Sequence, residues 1–263
     1  MEAARRAARL EKEFIEAFER NLRAIPHLVD PRDGKLYSLN RARIERRDRA
    51  RALLRALREQ GRFSRQDLFS YPVSTVVSVR LRRFLSSGGI LVVAASLTRF
   101  EPFLKEDSES DAAEPLGAEA VQRFLRTLET PPGALCVCGF FSATGWEEGT
   151  LRDLEDPARI CLTAPGPEGT WIVLQELSEG LKPYRWLFDP EGREGRIERL
   201  CGKIAALPEL SVAGGFVPVE RVAALLGTDG ELVDLVLRRL LGREKRLCVE
   251  EVDGVQILKH RRV

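Results

Sequence analysis

The sequence predicts a mixed α+β protein. It reads as a helical N-terminal part, a central α/β layer and a C-terminal unit of helices closed by a hairpin. Three observations predict this. Helical periodicity dominates both ends of the 263-residue chain. Apolar runs of strand length, "ILVVAASL", "ALCVCGFF", "RICLTA" and "GTWIVLQEL", fill the middle and alternate with helical segments. Clusters of Gly and Pro punctuate the boundaries between them. At this length one large or two to three small domains are expected, with a real core.

Hydrophobic residues make up 44% and charged residues 31% of the chain, as in soluble globular proteins. No window holds about 18 consecutive apolar residues, so no membrane-spanning helix and no membrane partner are expected. The opening "MEAARRAARLEKEF" is charged and lacks the apolar core of a signal peptide. Five cysteines, Cys136, Cys138, Cys161, Cys201 and Cys248, give an odd count and no disulfide framework. A reducing cytoplasm is the expected compartment.

Four segments are expected: 1–38, 39–100, 101–194 and 195–263. In the first, Leu10, Phe14, Phe18 and Leu22 recur at helical spacing over residues 3–24 and end at Ile25-Pro26. A loop with Asp30-Pro31 and Asp33-Gly34 turn chemistry follows. In the second, a helix is expected from Leu39 to Gln60, with a stripe of Ile44, Ala52, Leu53, Leu54 and Leu57. Ser64 caps a short helix in "FSRQDLFS". "STVVSVRLRRFLSSGG" reads as a third helix and "ILVVAASL" as a strand. Helix, short helix, helix, strand is the layout of a winged helix.

The third segment opens with an acidic stretch, "EPFLKEDSESDAAEPL", of low hydrophobicity. A helix over 117–130 turns Val121, Phe124, Leu125 and Leu128 inward. Strands "ALCVCGFF", "RICLTA" and "GTWIVLQEL" follow, with a short helix expected in "EEGTLRDLED". The fourth segment begins with a helix from about Gly195 to Leu207 and a short helix over Val217–Leu226. Thr228 and Glu231 then form a capping box. The next helix turns Leu232, Val233, Val236, Leu237, Leu240 and Leu241 inward. "RLCVEEVDGVQILKHR" reads as a hairpin turning at Asp253-Gly254. From Arg199 to Val263 this order resembles the winged helix-turn-helix family, which implies nucleic-acid or protein docking.

The candidate chemical motifs are weighed by what each reaction requires. Cys136 and Cys138 alternate in a strand and share a face. A tetrahedral zinc site needs two more ligands, so the pair reads as small core residues and no metal is expected. "FSATGW" lacks the G-x-S-x-G elbow and the lysine of a phosphate-binding loop. Glu147, Glu148, Asp153 and Asp156 offer an alternative ion site, but at the two ends of a short exposed helix they read first as solvated helix termini. No catalytic residue and no cofactor are expected.

The run from "ILVVAASLTRF" through "LGAEAVQRFLRTLE" and "GALCVCGFFSATGWEE" to "GTWIV" resembles the core of the Mrr-like restriction endonuclease family. Gly139, Phe141 and Thr144 match its Gly-x-Phe-x-Thr-Thr strand end, and Val121, Phe124 and Leu128 match the preceding helix. The resemblance implies a divalent-metal nuclease core in a DNA-processing or antiviral defence setting. The chain departs from it where the chemistry lies. Ala94 and Ser96 occupy the positions of the acid or amide and the lysine, and no upstream Asp-bearing strand is expected, because residues 40–86 read as helical.

Charge is distributed unevenly. Residues 1–100 carry 22 basic and 11 acidic side chains, a net of +11. Residues 101–200 carry 10 and 20, a net of −10, and residues 201–263 carry 10 and 9, a net of +1. A basic first part suits phosphates. Arg80, Arg82 and Arg83 would line the first recognition helix. Arg238, Arg239, Arg243, Lys245 and Arg246 would line the second, with Lys259, Arg261 and Arg262 after the wing. Such side chains mostly contact phosphates. The expected function is therefore a non-catalytic DNA-binding or adaptor subunit. The alternatives are a tandem winged-helix scaffold for partner proteins and a metal-dependent nuclease.

Overall fold

The computed structural model describes residues 2–61, 70–82, 88–98, 114–212, 215–226 and 230–261. The chain forms two compact units, Met1–Gly192 and Arg193–Val263. The architecture is mixed α+β around a central mixed sheet.

The first unit opens with helix α1, Glu2–Arg23. Phe14, Ile15, Phe18 and Leu22 fall on one stripe and are buried. The opposite face carries i,i+4 ion pairs Arg9–Glu13 and Lys12–Glu16, each stabilising by a few tenths of a kcal/mol. Strands β1, His27–Asp30, and β2, Lys35–Ser38, form a hairpin where the sequence reads as a loop. The carboxylate of Asp30, 2% exposed, accepts from Arg32 N, Nε and Nη2 at 3.0, 2.9 and 2.7 Å.

The Arg32 side-chain bonds hold the Asp30 carboxyl below its ordinary range, ahead of the opposing effect of burial. The sign follows from linkage. A lowered folded pKa stabilises above the unfolded value, about 3.9, and that stabilisation is lost as pH falls through the folded value. Wild type is therefore expected to melt above Asp30→Asn near neutral pH, and the gap to close below about pH 3.9. Melting curves across that range check it.

A six-stranded sheet follows in the linear order β3-β4-β5-β6-β7-β8. Its strands are β3, Arg43–Asp48; β4, Thr75–Arg82; β5, Gly89–Ser96; β6, Ala134–Phe141; β7, Ile160–Pro165; and β8, Trp171–Gln175. β5, β6 and β7 run parallel, and the flanking pairs are antiparallel. Helix α1 covers one face, packing on Val77, Val79, Leu81, Val92 and Val137. Helix α3, Ala118–Arg126, covers the other through Val121 and Phe124, against Leu91, Val93 and Phe140. Helix α2, Arg51–Glu59, buries only Leu54 and Leu57.

This corrects the helical reading of residues 39–100. Arg43–Asp48 and Thr75–Arg82 are strands, so the first winged helix does not form. In β4 the buried set is Val77, Val79 and Leu81, a period of two. Thr75, Val76, Val77 and Val79 are β-branched and suit a pleated surface better than a helix. In β3 no apolar face exists to reveal the strand, and Ile44 is 55% exposed. The expected boundary between residues 100 and 101 also falls, because β5 and β6 pair along their whole length. The short helix expected around Ser64 lies outside the described residues, as does most of the acidic stretch. "EEGTLRDLED" forms successive turns, not a helix.

The second unit contains α4, Gly192–Ala205; α5, Pro208–Ser211; β9, Phe216–Pro218; α6, Val219–Leu226; and α7, Gly230–Arg243. The hairpin β10, Leu247–Val252, and β11, Val255–His260, closes it, with β9 on the far side of β11. Asp253 and Gly254 have φ of 50° and 78°, the left-handed pair that a two-residue hairpin turn needs. Leu232, Val233, Val236, Leu237 and Leu240 are buried as their spacing predicts. Thr228, the expected cap, lies outside the described residues.

Candidate nucleic-acid interface

The edge of the sheet where β5 ends and β4 begins is the place to look for nuclease chemistry. The register sets Ala94 opposite Gly139 and Ser96 opposite Phe141. β4, a strand where the sequence reads as helical, precedes β5 and carries no carboxylate. The acid at this edge comes instead from α1. Glu11, 3% exposed, accepts from Ser74 N at 3.2 Å, Thr75 N at 2.8 Å and Ser96 Oγ at 3.1 Å. Both carboxylate oxygens are thus engaged. Ser74 sits at φ 51°, which aims successive backbone N–H groups at the carboxylate. Thr75 Oγ1 donates to Asp48, and Asp48 is ion-paired to Arg51 at 2.5 Å. No group of three or more His, Cys, Asp or Glu able to hold a metal exists among the described residues.

A cavity of about 480 Å³ opens beside this edge, lined by Arg49, Leu53, Ser96, Thr98 and Arg123 among others. Its charges are largely spent. Arg123 pairs with Glu119 at 2.5 Å. The Glu147 carboxylate lies over Gly117, where a Cβ would meet it at 2.4 Å.

The cysteines and the "FSATGW" loop are structural. Cys136 Sγ and Cys138 Sγ are 3.6 Å apart, on one face. Hydrogen bonding to Cys138 holds the Cys136 thiol below its ordinary pKa, while Cys138 is pushed up by that bond and by burial. Ser142 is fully buried and bonded to Thr144 and to Thr163 O. Trp146 Nε1 donates to the same Thr163 carbonyl at 2.9 Å.

The basic candidates separate by element. Arg80 and Arg82 lie on β4, not on a helix, and Arg83 lies outside the described residues. Arg80 is opposite Arg43 on β3 and Leu91 on β5, on the α3 face. Sequence reasoning assigned the arginines of 39–60 to one helix. They are instead divided among a single 3₁₀ turn (Arg41), the exposed edge strand β3 (Arg43, Arg46, Arg47), the turn after it (Arg49) and helix α2 (Arg51, Arg55, Arg58). Arg43 and Arg47 hold Glu45 at 2.9 and 3.2 Å, and Arg46 reaches Glu19 at 3.4 Å. Arg49 stands over the Phe124 ring, 5.0 Å from its centroid. Arg41, Arg55 and Arg58 are exposed and have no carboxylate partner among the described residues.

In the second unit most bases are spoken for. Arg239 pairs with Glu194 at 2.6 Å and Glu198 at 3.5 Å, and Arg243 pairs with Glu198. The bond to Glu198 raises the Arg243 pKa. Arg246 holds Glu244 at 3.0 Å, and Lys259 holds Glu250. Arg238, Lys245 and Arg261 are exposed without such partners among the described residues. Arg262 lies outside them. No helix among the described residues is long and apolar enough to cross a membrane.

No protein-family model, curated protein or solved structure matches the chain.

Proposed function

We propose that this chain is a non-catalytic nucleic-acid-binding subunit of a prokaryotic DNA-processing or defence assembly. The observation that carries the reading is the set of exposed arginines between residues 41 and 58, of which Arg41, Arg55 and Arg58 have no carboxylate partner among the described residues. An edge strand gains from charge as protection against pairing with other chains, but that need ends with β3. It does not account for Arg55 and Arg58 on a helix. Guanidinium groups on an exposed ridge suit phosphates, which they grip in sequence-independent fashion.

The non-catalytic part rests on Glu11. A carboxylate already accepting two backbone N–H groups and a hydroxyl is poorly placed to ligate a divalent ion, and Ser96 supplies no amine beside it. The DNA-processing setting rests on the Mrr-like resemblance, for which β5, α3 and the parallel strand β6 supply matching element order.

The second unit supports a separate role. Its order of helices, the small strand β9 and the terminal hairpin suit a winged helix. Two arginines of α7, Arg239 and Arg243, are held by glutamates of α4, while Phe216, Val252 and Val255 are exposed. Paired bases and bare apolar side chains favour a partner protein over DNA on this unit.

The test is anisotropy of a labelled duplex against the full chain, titrated with salt. Binding is expected at about 50 mM salt, falling steeply toward 200 mM. The double substitution Arg55→Glu and Arg58→Glu is expected to weaken it by more than tenfold. Absence of binding at low salt sinks the reading. Cleavage of a plasmid with Mg²⁺ or Mn²⁺, abolished by EDTA, would replace it with the nuclease alternative.

A further inference from the structure

On the α3 face of the sheet, the buried cluster beneath α3 is built from β5, β6 and β7, reaches β4 only through Val76 and, among the described residues, takes in none of β3. The uncovered strip forms a groove of about 180 Å³, floored by Leu91 and Phe124. Drug-sized sites are larger, about 300–1,000 Å³. This one has room for a single tetrahedral anion and its ester oxygens.

Its polar lining is mostly made of donors. Strand pairing brings Arg47, Ser78 and Arg80 to this face, and Arg49 reaches it across the Phe124 ring. Arg80 Nε is buried and has no hydrogen-bond partner among the described residues. A buried, unpaired donor on a charged group is costly, so a native structure normally supplies an acceptor. Neither acid in the groove meets Arg80. Glu45 is held by Arg43 and Arg47, and Glu129 is exposed at the mouth. The cation–π contact on Phe124 fixes the Arg49 guanidinium while leaving its N–H edge free to donate.

We infer that this groove is a phosphodiester subsite. One backbone phosphate of a bound nucleic acid accepts from Arg80 Nε and from the Arg49 guanidinium, and draws Arg47 away from Glu45. The inference rests on the nucleic-acid reading above and locates a phosphate contact within it. It also gives Glu45 a role: a carboxylate that competes with the phosphate for Arg47.

That competition makes the test two-sided. In duplex-binding titrations, Arg80→Met keeps an apolar stem of similar length and removes the donor. It is expected to weaken binding about tenfold and to reduce the slope of log K against log salt by about 0.9, one phosphate contact. Glu45→Gln, on an exposed edge strand, is expected to tighten binding about threefold. If Arg80→Met leaves affinity and slope unchanged while the Arg55/Arg58 reversal abolishes binding, the subsite is wrong and the wider reading stands. If Glu45→Gln fails to tighten binding, the subsite is likewise wrong, whatever Arg80→Met does to folding. If wild type binds no duplex, the wider reading fails. An inorganic-phosphate rise in melting temperature that Arg80→Met abolishes, without duplex binding, would assign the groove to free phosphate and overturn the phosphodiester.

Discussion

Glu11→Ala is expected to cost about 3 kcal/mol or more of stability, the larger of the two effects argued here. The substitution removes the acceptor for Ser74 N, Thr75 N and Ser96 Oγ, donors of three buried residues. Each stranded donor costs about 1–3 kcal/mol. Glu11→Gln keeps one acceptor oxygen, and Ser96 can turn to accept from the new amide, so a smaller loss is expected. The order Ala worse than Gln, read from denaturant midpoints, reports on hydrogen bonding at this edge. Millimolar Mn²⁺ is expected to leave the wild-type melting temperature unchanged. A wild-type rise that Glu11→Gln abolishes would make Glu11 a metal ligand, and the structural account would then be lost.

Gly139→Ala is expected to destabilise by about 1–3 kcal/mol or more, the range of overpacked cores. A Cβ built there lies 2.0 Å from Phe188 Cδ1 and 2.4 Å from its Cγ. The ring has nowhere to go. Phe188 is 1% exposed and stacks on Phe18 with centroids 5.6 Å apart, and its carbonyl accepts from Thr163 Oγ1 at 3.1 Å. Phe188→Leu costs stability alone but makes room, so the double substitution is expected to cost less than the sum of the two. Thermal melts of the four proteins check both statements. A Gly139→Ala protein that melts with wild type would refute the packing.

The same contact explains why "GFFSATGW" attracted attention as a motif. Gly139 is required by the ring above it, and Phe141 by Phe14, with centroids 5.3 Å apart. Ser142 and Thr144 close the turn on each other. Gly139 and Phe141 thus have a packing role in this chain.

The arginines show the limit of reading charge along a line. Eight arginines fall between Leu39 and Gln60. Their number marks a basic region, but the turns at residues 39–41 and 49–50 break it, so that Arg43, Arg46 and Arg47 fall on a strand and Arg51, Arg55 and Arg58 on a helix. Pairing then decides which remain free. Arg239 and Arg243 look like groove-reading side chains until the glutamates of α4 close on them. No spacing rule relates Glu194 and Glu198 to residues about 45 positions away.

Local chemistry determined much of this protein from sequence alone. Periodicity placed α1, α3 and α7, apolar runs of strand length placed β5, β6 and β7, and Asp253-Gly254 placed the terminal hairpin, because these signals act within a few residues. Tertiary structure decided the rest. β3 has no apolar face and becomes a strand only through hydrogen bonds to β4. β4 in turn is fixed by burying Val77, Val79 and Leu81 under α1. The acid at the candidate site, Glu11, comes from 63 positions before Ser74 and 85 before Ser96. Its role depends on donors that only folding brings together.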